Sequence, residues 1–233
     1  LMPSDVSGAE TYCTVYAFAE SPVEKGVLWA GSDDGLIHVS RDGGGNWHVV
    51  TPADLPEWTL VACIEPSSHD GGTAYVAATR YKLDDYNAYL YRTTDYGQSW
   101  TLISDVFPKG EISRVVREDP IRPGLLFVGT ETGIFFSADA GSSWNRLENN
   151  LPLVPVYDLK LKGSDLIAGT HGRSFWILDD ITPLRNLGAG GKEGSPHLLQ
   201  PAPAHRRWVN WMAKEPRTMA AGTKANMLVL GAH

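Results

Sequence analysis

Cysteine is scarce in this sequence, and long apolar runs and basic clusters are missing. With 2 Cys in 233 residues, a framework of several disulfides is excluded. No stretch approaches the roughly 20 consecutive apolar residues of a membrane-spanning helix. Acidic residues outnumber basic ones by 27 to 20, giving a formal charge of −7. Nucleic acid and anionic membranes attract clustered Lys and Arg, so neither is expected as a partner.

The most informative feature that is present is a short motif that occurs three times. Each copy reads Ser/Thr-x-Asp-x-Gly-x-x-Trp, and the copies are Ser40–Trp47, Thr93–Trp100 and Ser137–Trp144. They recur every 40–50 residues or so, a period typical of propellers and repeat arrays. Gly 24 and Pro 15 also favour many short strands joined by tight turns.

The residue types of the motif suit a tight turn between two strands. An Asp carboxylate can bond nearby backbone N–H groups in a tight turn, a Gly supplies a positive φ, and a Trp can fill the gap between sheets. We therefore predict structural roles, and no catalytic ones, for the Asp and Trp of each copy: Asp42, Trp47, Asp95, Trp100, Asp139 and Trp144.

The alternation of apolar and polar residues predicts an all-β fold, a β-propeller segment of four four-stranded antiparallel blades plus an irregular C-terminal tail. Residues 1–187 hold the blades, at about 10–51, 59–104, 112–148 and 155–185. The fourth repeat degenerates after its third strand, because Asp179-Asp180-Ile-Thr-Pro lacks the Gly and Trp of the motif. Residues 188–233 form a Gly-rich linker and a tail that could close the propeller or cover an edge.

The repeats resemble Asp-box, or BNR, repeats of sialidases, sortilin-type receptor propellers and xyloglucanases. Longer stretches resemble large bacterial proteins described as BNR-repeat glycosyl hydrolases or sortilin N-terminal-like proteins: Trp29–Gly35, Arg117–Pro120, Gly129–Gly133 and Gly169–Asp180. The resemblance implies a propeller of which this chain is a part, and an extracytoplasmic location, secreted or periplasmic. No signal peptide is visible in the opening residues Leu-Met-Pro-Ser-Asp.

The two cysteines lie in apolar alternating runs of successive repeats. Equivalent positions of adjacent blades exceed disulfide reach. We therefore expect Cys13 and Cys63 to be buried free thiols.

A candidate site lies in the loops between the second and third strands, at the end of the blades opposite the Asp boxes. Loops on a rigid scaffold often carry binding residues. The candidate catalytic residues are Asp84, Asp85, Glu131 and His171. The candidate ligand-binding residues are Asp33, Asp34, Arg80, Tyr86 and Arg173. Each has a structural alternative, because Asp and Gly are also ordinary turn residues.

Inner-strand charges form a second polar group. Arg114, Arg117 and Glu118 lie on or just after the inner strand of the third repeat. We interpret them as an Arg–Glu network lining the channel.

Two classes of function stay open. The first is a recognition module that binds a glycan or peptide on the loop face. The second is a hydrolase, with a glycosidase as the first choice, which needs two carboxylates roughly 5–10 Å apart. A sialidase would carry the Phe-Arg-Ile-Pro element of that family, which this sequence lacks. A calcium-dependent esterase or lactonase would need oxygen ligands in the channel. No cofactor is certain, although calcium could be bound, and open blade edges suggest self-association.

Overall fold

The computed structural model describes residues 13–187, which form four antiparallel sheets, here called blades 1 to 4. Blade 1 contains β1 (Val15–Glu20), β2 (Leu28–Ser32), β3 (Ile37–Ser40) and β4 (His48–Val49). Blade 2 contains β5 (Leu60–Pro66), β6 (Ala74–Arg80), β7 (Asp85–Thr93) and β8 (Thr101–Leu102). Blade 3 contains β9 (Ser113–Glu118), β10 (Leu126–Thr130), β11 (Ile134–Ser137) and β12 (Asn145–Arg146). Blade 4 contains β13 (Val156–Lys162), β14 (Asp165–Thr170) and β15 (Phe175–Leu178).

Within each blade the strands pair in chain order as a meander, and blades 1, 2 and 3 end in a two-residue outer strand. This confirms the predicted all-β arrangement of four antiparallel blades. In the described residues blade 4 has three strands, followed by the short helix α1 (Thr182–Arg185), where the repeat degenerates in sequence. The predicted linker and tail, residues 188–233, lie outside the described residues, as do residues 1–12.

The core lies between the blades, because each sheet buries apolar side chains on the face it turns to its neighbour. One apolar cluster lies between blades 1 and 2, and another joins blades 2, 3 and 4. Trp100 of blade 2 meets Trp29 of blade 1 edge-on, with ring centroids 6.2 Å apart. It also meets Tyr91 of its own blade at 6.5 Å. Such edge-to-face pairs add to the stabilisation from burial alone.

A meander has two distinct ends. The turns between third and fourth strands, which carry the three motifs, share one end with the turns between first and second strands; for example, Gly43 N donates to Gly26 O at 2.9 Å. The loops between second and third strands lie at the other end, with the connections from one blade to the next. We call these the box end and the loop end.

The three motif turns share one hydrogen-bond pattern. The hydroxyls of Ser40, Thr93 and Ser137 donate to the aspartate two residues later, at 2.8, 2.8 and 2.7 Å. The backbone N–H four residues after each aspartate donates to the same carboxylate, at 2.8, 2.9 and 2.9 Å. The backbone N–H of Asn46 is the main reason that the pKa of Asp42 falls to about 2.

The motif tryptophans connect each blade to the preceding one. Trp100 Nε1 donates to Val50 O of blade 1 at 2.6 Å, and Trp144 Nε1 donates to Ile103 O of blade 2 at 2.7 Å. Trp47 has no preceding blade in the described residues, and its side chain is 40% exposed. The indole is therefore a connector between neighbouring blades.

One of the two cysteines is not buried, contrary to the prediction. Cys13 and Cys63 are both free, but Cys13 is exposed. It precedes β1, so it lies outside the alternating run that would have buried it. Cys63 is on β5 and buried, as expected.

Among residues 13–187, no helix has the length and apolar character that crossing a membrane requires.

Candidate functional site

Every inner strand contains one extra residue close to its start, at the loop end. The pairing of inner and second strands skips Tyr16 in blade 1, Ala62 in blade 2, Arg114 in blade 3 and Tyr157 in blade 4. A β-bulge of this kind takes a residue out of the ladder and re-aims its side chain. The four bulged residues therefore occupy equivalent positions beside the loops between second and third strands.

Two of the bulged residues meet in a stack that connects three blades. The guanidinium carbon of Arg114 lies 4.7 Å from the ring centroid of Tyr81 and 4.4 Å from that of Tyr157. The same guanidinium forms an ion pair with Glu131. The ring of Tyr157 stacks on His171, with centroids 5.2 Å apart at 35°. We call these five residues the Arg114 cluster.

The cluster is neutralised at its centre and open at one side. The side chain of Arg114 is 14% exposed, because two rings and a carboxylate surround it. Tyr157 is 45% exposed, and His171 is exposed as well. An incoming ligand would therefore meet aromatic faces first, with the guanidinium behind them.

The blade 2 loop organises itself around Asp85. The carboxylate accepts from Arg80 at 3.1 Å, from the Tyr89 hydroxyl at 2.6 Å and from the Asn87 amide at 2.7 Å. Burial opposes ionisation of Asp85, but the Tyr89 and Asn87 bonds outweigh it, so its pKa lies below the ordinary value. Asp84 ends the 3-10 turn with a φ of 57°.

The blade 1 acids are also engaged locally. Asp33 accepts the backbone N–H of Thr14 at 2.9 Å, and Asp34 accepts from the hydroxyl of Ser32. Burial opposes ionisation of Asp34, but the bonds from Ser32 and the thiol of Cys13 hold its pKa below the ordinary value.

The predicted site residues thus separate into groups. Glu131 and His171 come together through Arg114 and Tyr157. Arg80 and Asp85 pair with each other in the loop that supplies Tyr81. The side-chain hydrogen bonds of Asp33, Asp34 and Asp85 stay within their own blades. Exposed on the loop end are Tyr86 and Arg173, whose carbonyl accepts from Trp176 Nε1 at 2.9 Å.

Two cluster members were missed from the sequence. Neither Tyr81 nor Tyr157 is among the site residues that the sequence predicts. A signal for Tyr157 exists, because Tyr157 and Asp158 are both exposed between the buried Val156 and Leu159, which breaks the period of two. The sequence shows the same break, as two polar residues between two apolar ones.

The inner strands carry a separate ionic network, which links blades 2, 3 and 4. Arg117 on β9 pairs with Glu65 on β5 at 3.2 Å and with Asp158 on β13 at 3.0 Å. Glu118 does not join it, contrary to the predicted Arg–Glu network. Its side chain is on the opposite face of β9, where it accepts from the Tyr75 hydroxyl at 3.1 Å and from Gly124 N at 3.0 Å.

No group of three or more His, Cys, Asp or Glu side chains in residues 13–187 is arranged to hold a metal ion.

Solved structures resemble this chain at the level of the fold. A structure of YCF48 bound to D1 peptide aligns with a TM-score of 0.55 and 19% identity, covering 72% of this chain and 52% of that one. The GH74 xyloglucanase from Xanthomonas campestris aligns with a TM-score of 0.55 and 15% identity, covering 70% and 29%. The extracellular domain of a putative one-component system from B. thetaiotaomicron aligns with a TM-score of 0.54 and 19% identity, covering 74% and 22%.

These likenesses define the class of fold, a segment of β-propeller. The chain spans about half the length of the YCF48 structure and less of the other two. No protein-family model matches the sequence, and no curated protein matches it.

Proposed function

We propose that this chain is an Asp-box β-propeller recognition module that binds a peptide or glycan at its loop end. The observation that carries the proposal is the Arg114 cluster, in which side chains from three blades form one aromatic surface around a guanidinium. A surface assembled from several blades suits a ligand that lies across them.

The chemistry of the cluster favours a ligand with flat apolar faces and neutral polar groups. Tyr157 and His171 offer rings on which a sugar or an apolar peptide side chain can stack. Because Glu131 already neutralises Arg114, a highly charged ligand would gain little there. The guanidinium has five N–H donors in all, so donors remain for a ligand carbonyl or hydroxyl.

A glycoside hydrolase is the second candidate, because a GH74 xyloglucanase shares the fold and Glu131 lies on the same loop end. A general acid needs a carboxyl whose pKa is raised. The pKa values of Asp34 and Asp85 are lowered, which suits a base or nucleophile and leaves the acid to be found. This balance favours the recognition module.

The test is binding of the full chain to glycan and peptide panels, beside a hydrolysis screen with chromogenic glycosides and esters. We expect a ligand that binds the native chain and is lost on Tyr157→Ala or His171→Ala, with the melting temperature nearly unchanged. Ile121→Ser, at an exposed residue of the box end, is the matched control. Turnover of a glycoside that depends on Glu131 would favour the hydrolase instead.

The resemblance to BNR-repeat proteins supports an extracytoplasmic location, and the open blade edges support self-association. Detection of the protein in secreted or periplasmic fractions of its host would test the first proposal. Sedimentation velocity over a range of concentrations would test the second.

A further inference from the structure

The outer strands of blades 1, 2 and 3 are attached in one repeated way. Three residues after each motif tryptophan, a backbone N–H donates to a carbonyl on the third strand of the same blade. The bonds are Val50 N to Ile37 O, Ile103 N to Leu90 O and Leu147 N to Ile134 O, each 2.8 Å. In blades 2 and 3 the tryptophan itself donates to the preceding blade, at Val50 O and Ile103 O.

Both acceptors of this pattern are also present beside blade 4, one on blade 3 and one on blade 4 itself. Leu147 stands three residues after Trp144, as Val50 and Ile103 stand after their own tryptophans. Phe175 pairs with Gly169 in the same way as Ile134 pairs with Gly129. The carbonyl of Phe175 is therefore the blade 4 equivalent of the acceptor Ile134 O. In the described part of the chain β15 is the edge of its sheet.

A groove marks the place where a fourth strand of blade 4 would pack. It lies between blades 3 and 4 and is partly open to solvent. We call it the blade 4 groove and define it by Ile134, Leu147, Asn149, Leu151, Trp176 and Leu178. The Nδ2 of Asn149 is buried and has no hydrogen-bond partner in the described residues. Apart from that atom the lining is largely apolar, which suits an aromatic side chain.

We infer that the blade 4 groove docks a tryptophan-bearing strand added antiparallel to β15, and that the segment Trp208-Val-Asn-Trp211 of this same chain supplies it. The indole of Trp208 would donate to Leu147 O, and the backbone N–H of Trp211 to Phe175 O. This contact lies on the outer edge of blade 4, so it goes beyond ligand binding at the loop end.

The sequence of that segment matches the outer strands. Those strands read Trp-x-x-Val, Trp-x-x-Ile and Trp-x-x-Leu, and the segment reads Trp-Val-Asn-Trp, again with an apolar residue three positions later. Within residues 188–233, Trp208 and Trp211 are the two tryptophans of the sequence, and only Trp208 has an apolar residue at that distance.

The direction in which the chain leaves β15, and the number of residues between Leu187 and Trp208, are also consistent with an added outer strand. After β15 the chain is at the box end, because Ile181 N donates to Ser164 O in the turn between β13 and β14 at 2.7 Å. An outer strand antiparallel to β15 must begin at that same end. Residues 188–207 lead from Leu187 to Trp208, and an extended chain of that length reaches roughly 65 Å.

Hydrogen exchange on the full chain tests the inference. By register with β11, the amides of Phe175 and Ile177 point away from β14 and need a partner strand for protection. We expect these amides to be protected in the native chain. Trp208→Ala should speed their exchange about tenfold or more. Trp208→Phe should have a smaller effect, because it keeps an aromatic ring in the groove while losing the indole N–H and part of the ring area.

Two controls keep the result specific. Exchange in β11 should stay unchanged in Trp208→Ala, which shows that the fold is intact. Met219→Ala, elsewhere in the same region of sequence, should leave β15 protected. Rapid exchange of the Phe175 and Ile177 amides in the native chain would overturn the inference. Protection that survives Trp208→Ala would also overturn it, and if it falls on dilution it assigns the groove to a second copy.

A peptide provides an independent readout. A labelled synthetic peptide with the sequence of residues 139–147, which contains the Trp144 outer strand, should bind Trp208→Ala and not the native chain. Equal binding to both would mean that the groove is vacant in the native chain, and binding to neither would mean that it does not accept such a strand. Either outcome contradicts the inference.

Discussion

At the scale of single residues, the motif aspartates act as local clamps. Each carboxylate ties a hydroxyl two residues before it to a backbone N–H four residues after it. The pKa values of all three carboxyl groups are lowered. The main cause is the Asn46 N–H at Asp42 and the Ser99 hydroxyl at Asp95. At Asp139 burial opposes ionisation, but the hydrogen bonds from Ser143 and Ser137 outweigh it. Their role in the turn is thus a property of the short motif, which is why the sequence was enough to propose it.

Replacing Asp95 by Ala should therefore lower the free energy of unfolding by about 1–3 kcal/mol. The reason is that the Ser99 N–H and the hydroxyls of Thr93 and Ser99 lose their acceptor. Asp95→Asn keeps an acceptor oxygen in the same place and should lose less. Urea unfolding of the three proteins measures the difference. Ligand binding by folded Asp95→Ala should equal that of the native chain, and a clear loss of affinity would contradict the structural role.

The same aspartates predict how stability depends on acid. The pKa of Asp42 in the folded protein is about 2, against an ordinary value of 3.8. Its stabilisation is thus complete above the ordinary value and is lost as the pH falls from there to about 2. The lowered pKa values of Asp95 and Asp139 act in the same direction.

We expect the melting temperature to fall steeply in that acidic range, and less steeply when Asp42, Asp95 and Asp139 are all replaced by Asn. Calorimetry at a series of pH values compares the two slopes. Equal slopes would show that other carboxylates control acid unfolding.

At the scale of elements, the junction between blades depends on one indole bond. The sequence predicted a tryptophan between the sheets, but not that its N–H reaches a carbonyl of the preceding blade, because that depends on how two sheets pack. Apart from the break in period at Tyr157, the bulges were also not apparent from the sequence, since an extra residue in a ladder is defined by its partner strand. For this reason the loop end was predictable and the Arg114 cluster was not.

Trp144→Phe should cost about 1–3 kcal/mol, because the carbonyl of Ile103 loses its donor at a part-buried junction. Trp47→Phe is the matched control in the same motif. Since Trp47 is 40% exposed, its change should stay within about 0.5 kcal/mol. Chemical unfolding of both variants measures the contrast, and equal losses would mean that the indole bond between blades contributes nothing.

At the scale of the whole molecule, the first blade turns an apolar face to solvent. Phe18 on β1 and Val49 on β4 are 62% and 63% exposed, and Ala30 and His38 connect them across the same face. Blades 2, 3 and 4 bury the corresponding face against the preceding blade. Such a contiguous apolar surface commonly marks an interface.

We expect the full chain to self-associate through this face. Phe18→Ser should weaken the association, whereas Ile121→Ser, at an equally exposed apolar residue on the box end, should not. Sedimentation velocity over a range of concentrations measures both. A native chain that stays monomeric throughout would contradict the expectation.

The bulged residues have a consequence for how such a surface could diversify. Four residues stand outside the ladders, one in each blade: Tyr16, Ala62, Arg114 and Tyr157. Each blade therefore offers one position whose side chain takes no part in strand pairing. Ala62, the smallest of the four, is the natural place to install a new side chain. Substitutions at these four positions would change the binding preference one blade at a time, while the strand pairing of the scaffold stays the same.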